Sequence, residues 1–114
     1  MSYTPEQGDV IWVDFIPQAG REQAGRRPAL ILSPVAYNQK IGLAVFCPIT
    51  TQQKGYPFEV LLPESLKVQG VVLADHVKSM DWRARKAVFL DRAPREIVRE
   101  VLLKLNSLLR PLAP

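Results

Sequence analysis

A mainly β domain is what this chain of 114 residues predicts, with about six short strands forming a twisted sheet or small barrel and one C-terminal α-helix packed on it. Three observations predict it. Short runs of β-branched, aliphatic and aromatic residues recur between Gly and Pro punctuation from residue 8 to residue 90. Only after Pro94 do aliphatic side chains return every three or four positions, as one face of a helix requires. With 47% hydrophobic residues in a chain of this length, a core can form without disulfides or metal. No repeat, low-complexity tract or linker interrupts it, so residues 1–114 read as a single domain.

Taken in order, Val10-Ile11-Trp12-Val13-Asp14-Phe15 forms the first strand, preceded by Gly8-Asp9 and followed by Pro17. Its aromatic residues, Trp12 and Phe15, belong to the core or to a subunit contact. Residues 16–26 form a polar loop with Gly20 and Gly25 as hinges, of a length that is often functional or mobile in small domains. Ala29-Leu30-Ile31-Leu32 is a continuous apolar run suited to a central strand buried on both faces, and Ser33-Pro34 ends it. Residues 35–42 form a turn or short helix before a strand over 43–49, and a strand over 58–62 is closed by Pro63. The strand over 71–78 starts after Gly70 and loses apolar character as it leaves the core. Residues 79–86 form a bend, and 87–90 the last strand. Pro94 occupies the first helical position, with Glu96 in the first turn, where the helix dipole favours negative charge. Ile97, Val101, Leu105 and Leu108, flanked by Val98, Leu102 and Leu109, make one wide apolar face, and Pro111 stops the helix.

The net charge of +4 leans toward a polyanionic partner, although it is moderate enough to be simply a soluble basic surface. One cysteine and one histidine argue against a disulfide framework, which needs pairs, and against a zinc site, which needs about four ligands. Cys47, inside an apolar run, reads as a small buried thiol rather than a nucleophile. The N-terminus has no basic region followed by an apolar run, and nothing approaches about 18 continuous apolar residues. A cytoplasmic protein is expected.

Two strand ends carry the polar chemistry. Pro28 fixes its own φ and pushes Arg27 toward extended geometry, so the guanidinium leaves a stiff strand mouth, placed to grip a phosphate. Residues 48–55, Pro48-Ile49-Thr50-Thr51-Gln52-Gln53-Lys54-Gly55, close another apolar strand with hydroxyls, amides and an ammonium. Side by side, these ends would form an anion site. Without a histidine pair or a Gly-rich phosphate loop, few enzyme classes remain, and RNA self-cleavage is one of them. The 2′-hydroxyl of RNA is already the nucleophile, so a protein need only align it and stabilise the phosphorane charge. That route needs no metal cofactor and leaves a 2′,3′-cyclic phosphate and a 5′-hydroxyl. Arginine is a poor proton acceptor, and Glu22 is the nearest candidate base, with a solvated loop charge as its alternative. Arg27 has a surface salt bridge as its alternative, and Thr50 a satisfied turn. His76 is the one histidine, the side-chain type that titrates near neutrality, and beside Asp75 it reads as a hydrogen-bonded surface residue. Lys78, Arg83, Arg85 and Lys86, interleaved with Trp82, suit phosphate pairing and base stacking along a single strand, with surface solvation as the competing account.

The segments Gly8-Asp9-Val10-Ile11-Trp12-Val13-Asp14-Phe15, Glu22-Gln23-Ala24-Gly25-Arg26-Arg27-Pro28-Ala29, Leu32-Ser33-Pro34, Thr50-Thr51-Gln52, Lys54-Gly55-Tyr56-Pro57-Phe58-Glu59-Val60 and Leu73-Ala74-Asp75-His76-Val77-Lys78-Ser79 resemble, in order, the MazF/PemK toxins. The resemblance spans almost the whole chain. It implies an SH3-like barrel and a toxin of a toxin–antitoxin pair: a sequence-specific endoribonuclease, or mRNA interferase, acting on single-stranded RNA. It further implies a homodimer with grooves along the subunit interface, and inhibition by a MazE-like antitoxin whose acidic, disordered tail covers the basic groove. By this resemblance the catalytic arginine falls on Arg27, the catalytic threonine on Thr50 and an implicated glutamate on Glu22, while Lys54, Lys78 and Arg83 align with residues near RNA. Arg26 stands where histidine is found and His76 where glutamine is found, both near the groove, so both are assigned to RNA contact without transfer of any recognition triplet. The alternative function is a non-enzymatic toxin of the same fold, resembling CcdB, that inhibits a DNA topoisomerase by binding it.

Overall fold

The computed structural model describes residues 3–15 and 25–112. Among these the chain runs β1 (Asp9–Phe15), β2 (Gly25–Ile31), α1 (Val35–Ile41), β3 (Ala44–Thr50), β4 (Glu59–Leu61), β5 (Val71–Leu73), β6 (Lys78–Met80), β7 (Val88–Arg92) and α2 (Arg95–Leu108). The described strands form one antiparallel sheet in the order β4-β5-β3-β2-β1-β7, with β6 also paired to β3. The mainly β expectation with a C-terminal helix holds. Among the described residues the sheet does not close on itself, since β4 and β7 stand at its two ends.

Strand alternation divides the core into two layers. Val10, Leu30, Cys47 and Val72 point to one face, where Val98, Val101 and Leu105 of α2 cover them. Ile11, Val13, Ala29, Ile31 and Phe46 point to the other, where Trp82 closes the layer. The central run Ala29-Leu30-Ile31 is therefore buried on both faces, as its unbroken apolar character predicts. Trp82 itself departs from expectation. It is not an exposed stacking platform: it is 3% exposed, and its indole N–H donates to the Asn38 carbonyl at 2.9 Å. Large aromatic area and one satisfied donor make it a core residue. Asn38, fully buried at the end of this bond, is satisfied in turn by Ser33 and the Pro5 carbonyl.

The predicted strand over 71–78 is two strands. Ile49 pairs with Val72 while Phe46 pairs with Lys78, so three steps back along β3 correspond to six forward on its partner. The three extra residues are taken up by a corner at 74–77, closed by the His76 N–H donating to the Leu73 carbonyl at 3.0 Å. Both halves still pair with β3. In α2, Pro94 is the cap rather than the first helical residue, and the helix ends at Leu108, before Pro111. Its buried stripe is narrower than its aliphatic content predicts: Val98, Val101 and Leu105 are covered, whereas Leu102 and Leu108 are exposed beside Leu103. Trp12 is likewise 37% exposed, whereas Phe15 packs edge-on against Phe46 at 6.0 Å. Cys47 is fully buried, and desolvation followed by the Asp75 charge pushes its thiol up to about 12, which fits the inert reading.

Candidate active site

The register of β2 and β3 places the two strand ends together. Ala29 pairs with Pro48, and one further step of two residues along this antiparallel ladder sets Arg27 beside Thr50. Arg27, Thr50, Pro48 and Phe46 share a face because they differ by even steps along their strands or through the pairing. Lys78, opposite Phe46 on β6, joins them from the other side of β3. The result is a cavity of about 300 Å³ lined by Phe15, Arg27, Pro48, Thr50, His76 and Lys78, among others. Thr50, Leu73 and His76 also line a second cavity of about 380 Å³, which Gln52, Lys54, Tyr56, Glu59 and Asp75 complete. The polar ends of three strands and one corner thus meet at Thr50.

Thr50 is held by its neighbours. Its Oγ1 accepts the Gln52 N–H at 3.1 Å, which leaves the hydroxyl proton for donation to a ligand. Gly70, at φ +120°, lies against it: a Cβ there would fall on the Thr50 carbonyl oxygen and within 2.8 Å of its carbon. Only glycine permits this approach of β5 to the end of β3. Cationic charge then comes from Arg27 and Lys78, which face one cavity, and Lys54, which faces the other.

Arg26, Arg83 and Arg85 separate from this group. Arg26 points to the opposite face of β2 from Arg27. Its guanidinium donates to Asp14 Oδ1 at 2.8 Å, the Lys86 carbonyl at 2.6 Å and the Trp12 carbonyl at 3.1 Å, so it ties β1 to the 81–87 bend. The period of two along a strand is the reason. Arg83 lies over the Trp82 ring, 5.0 Å from its centroid, and lines neither cavity. Arg85 directs its guanidinium to the Asp14 carbonyl. Glu22 falls outside the described residues. His76 does reach the site, with a half-exposed side chain whose Nε2 stands 3.8 Å from Asp75 Oδ1.

Sequence reasoning gave Tyr56, Glu59 and Asp75 no role in the site. The Tyr56 hydroxyl donates to Asp75 Oδ1 at 2.8 Å across 19 residues, and no local pattern signals such a pair. Desolvation, then the Asp75 carboxylate, push the phenol up to about 12. Glu59 accepts the Lys54 and Gly55 N–H groups at 2.8 Å each and so fixes the loop carrying Lys54. A carboxylate shortly after a glycine turn was the available signal for that bond.

Comparison with known proteins places the chain in a family. The family described as PemK-like, MazF-like toxin of type II toxin–antitoxin system matches residues 6–109. The endoribonuclease toxin MazF of Escherichia coli K12 is 50% identical over 107 residues, covering 94% of this chain and 96% of that protein. The endoribonuclease toxin ChpB of the same organism is 40% identical, covering 90% and 91%. The crystal structure of MazF from Deinococcus radiodurans superposes with a TM-score of 0.89 at 57% identity, covering 95% of this chain and 98% of that one. The MazE–MazF complex from that organism gives a TM-score of 0.88 at 57% identity, covering 95% and 97%. On sequence and fold together, this chain belongs to the PemK-like, MazF-like toxins of type II toxin–antitoxin systems.

Proposed function

We propose that the protein is an endoribonuclease, the toxin of a toxin–antitoxin pair, acting as one domain on single-stranded RNA in the cytoplasm. The observation that carries this reading is the convergence of Arg27, Thr50, His76 and Lys78 on one cavity at the ends of β2, β3 and β6. Arg27 and the Thr50 hydroxyl donate to the non-bridging oxygens of the scissile phosphate, where negative charge grows as the phosphorane forms. Lys78 and Lys54 hold the flanking phosphates, and His76 lies between the two cavities against the RNA. Glu22 serves as the base that takes the 2′-hydroxyl proton. The 2′-oxygen bonds to phosphorus, the bond to the 5′-oxygen breaks, and that oxygen takes a proton from solvent water and leaves as a 5′-hydroxyl. The other fragment keeps the 2′,3′-cyclic phosphate.

An acidic antitoxin segment complements the same lysine and arginine groups, and the toxin in the related MazE–MazF complex supports such a partner. Exposed aliphatic residues, Leu102 and Leu103 of α2 among them, support association into a homodimer. The topoisomerase-binding alternative receives no support, since the curated relatives at 50% and 40% identity are named endoribonucleases. Incubating the protein and its Arg27→Ala variant with long single-stranded RNA in excess EDTA tests the proposal. Cleavage at one short motif with cyclic-phosphate and 5′-hydroxyl ends is expected of the parent, with a loss of about 10²–10³ or more in the variant. A folded parent that cuts nothing, or an Arg27→Ala variant at full rate, would refute it.

A further inference from the structure

The loop joining β3 to β4 carries Lys54, and bonds from three separate elements hold it. Glu59, at the start of β4, accepts the Lys54 and Gly55 N–H groups at 2.8 Å each. Asp75, in the 74–77 corner, accepts the Tyr56 hydroxyl at 2.8 Å. Lys104, a half-buried residue of α2, donates from Nζ to the Pro57 carbonyl at 2.6 Å, across 47 residues of chain. Helix geometry offers Lys104 a nearer partner, since Glu100 stands one turn earlier at the spacing of a surface ion pair. Among the described residues no ion pair joins the two. The ammonium is directed to the loop instead, and an ionised donor makes the stronger class of hydrogen bond. Pro57 stiffens the point of attachment, because its ring fixes φ. Gly55, at φ +85°, lies between that point and Lys54 and brings wide backbone freedom, so the loop depends on being held from outside.

We infer that Lys104 is a positioning residue for RNA binding: by tying α2 to Pro57 it holds the loop so that Lys54 meets the RNA backbone without further ordering. The inference rests on the ribonuclease reading above, in which Lys54 holds a phosphate near Thr50, the two lining one cavity. Lys104 lines neither cavity at Thr50, so it acts through the loop and not on the RNA. A loop already held in its bound shape loses less freedom when RNA arrives, and releasing one of its bonds brings that loss back as weaker binding. The effect falls on RNA affinity. The chemistry at Arg27 and Thr50 is left as it is.

Two measurements separate the tether from that reading: binding of 2′-O-methylated single-stranded RNA, which lacks the nucleophile, and cleavage of the unmodified RNA in excess EDTA. Lys104→Met keeps the aliphatic stem and removes the donor. It is expected to weaken binding by about three- to tenfold, the size of one lost hydrogen bond, and to leave kcat within about twofold. Lys104→Arg restores a charged donor and should recover most of the loss. Arg99→Met removes the same charge from an exposed position of the same helix and should leave binding within about twofold, which separates the tether from net charge. In a Lys54→Met background, Lys104→Met should add less than about twofold, because no lysine is left to place. Urea midpoints establish that each variant is folded, and Lys104→Gln replaces Lys104→Met in every comparison if the latter does not fold. Parental binding by the folded variant, equal losses in Lys104→Met and Arg99→Met, or full additivity with Lys54→Met overturns the tether. A folded parent that binds RNA but cuts none removes the ribonuclease reading and leaves the tether to be decided by the binding contrast. A folded parent that binds no RNA removes both.

Discussion

Arg26 and Arg27 are adjacent, chemically identical and set to opposite work by the pleat of β2. Arg27 faces the cavity with Thr50, while Arg26 closes a three-way bond set among Asp14, Trp12 and Lys86 on the other side. Arginine fits that second role because its planar fork donates in several directions at once, whereas lysine offers a point charge. Two of the three acceptors are backbone carbonyls, one of them on Lys86, whose own φ of +57° lies in the left-handed region. Removing the fork leaves those groups to solvent and loosens the 81–87 bend. Arg26→Ala is accordingly expected to lower unfolding stability by about 1–3 kcal/mol, with the ion pair itself, partly exposed, supplying the smaller share. Arg27→Ala should instead lower cleavage by about 10²–10³ or more. Urea denaturation of Arg26→Ala beside an RNA cleavage assay of both variants checks the contrast. Unchanged stability in Arg26→Ala, or full-rate cleavage by Arg27→Ala, would mean the face assignment of these residues does not govern their roles.

At the level of elements, the site depends on how closely β5 can approach the end of β3. Gly70 makes that possible, since any Cβ there meets the Thr50 carbonyl. Gly70→Ala should therefore cost about 1–3 kcal/mol of stability and displace Thr50, lowering cleavage although Gly70 lines neither cavity. A variant with parental stability and parental rate would show that this approach is not needed. The strand runs themselves were legible in the sequence wherever local pattern decides: Ala29-Leu30-Ile31 as a strand buried twice, Cys47 as a buried thiol, and the two polar strand ends at Arg27 and Thr50, which the fold sets on one cavity. What pattern could not show was long-range. The run over 71–78 has no internal breaker, and only its two different registers with β3 divide it. Trp82 amid four basic positions looks solvated in one dimension, yet it fills the layer above Ile11, Val13 and Phe46. The Tyr56–Asp75 bond joins two loops whose proximity is a property of the folded sheet.

The whole molecule carries a titration signature that follows from where it buries its weak acids. Cys47 inside the helix-covered layer, Tyr3 on the N-terminal segment and Tyr56 at the second cavity all hold their protons more tightly than free side chains do. For Cys47 and Tyr56 the thiol and phenol are pushed from 9.0 and 10.0 up to about 12; Tyr3 is raised from 10.0, by burial first and then by its 2.6 Å bond to Asp9. A raised acid pKa means that the folded state keeps a proton which the unfolded chain releases. The contribution is thus fully present below the unfolded value and is lost as pH rises from there toward the folded value. Stability should hold from neutrality to about pH 9 and then fall, with Cys47 removing roughly 1–3 kcal/mol by pH 11 and the two tyrosines adding to the loss above pH 10. Urea midpoints measured from pH 7 to pH 11 give the curve directly, and Cys47→Ala assigns its first limb. That variant begins from lower stability because a small core side chain has been trimmed, but it should lose less than the parent between pH 9 and pH 10. A parent midpoint that stays flat to pH 11, or a Cys47→Ala curve parallel to it throughout, would show that the buried thiol does not set the alkaline edge of the fold.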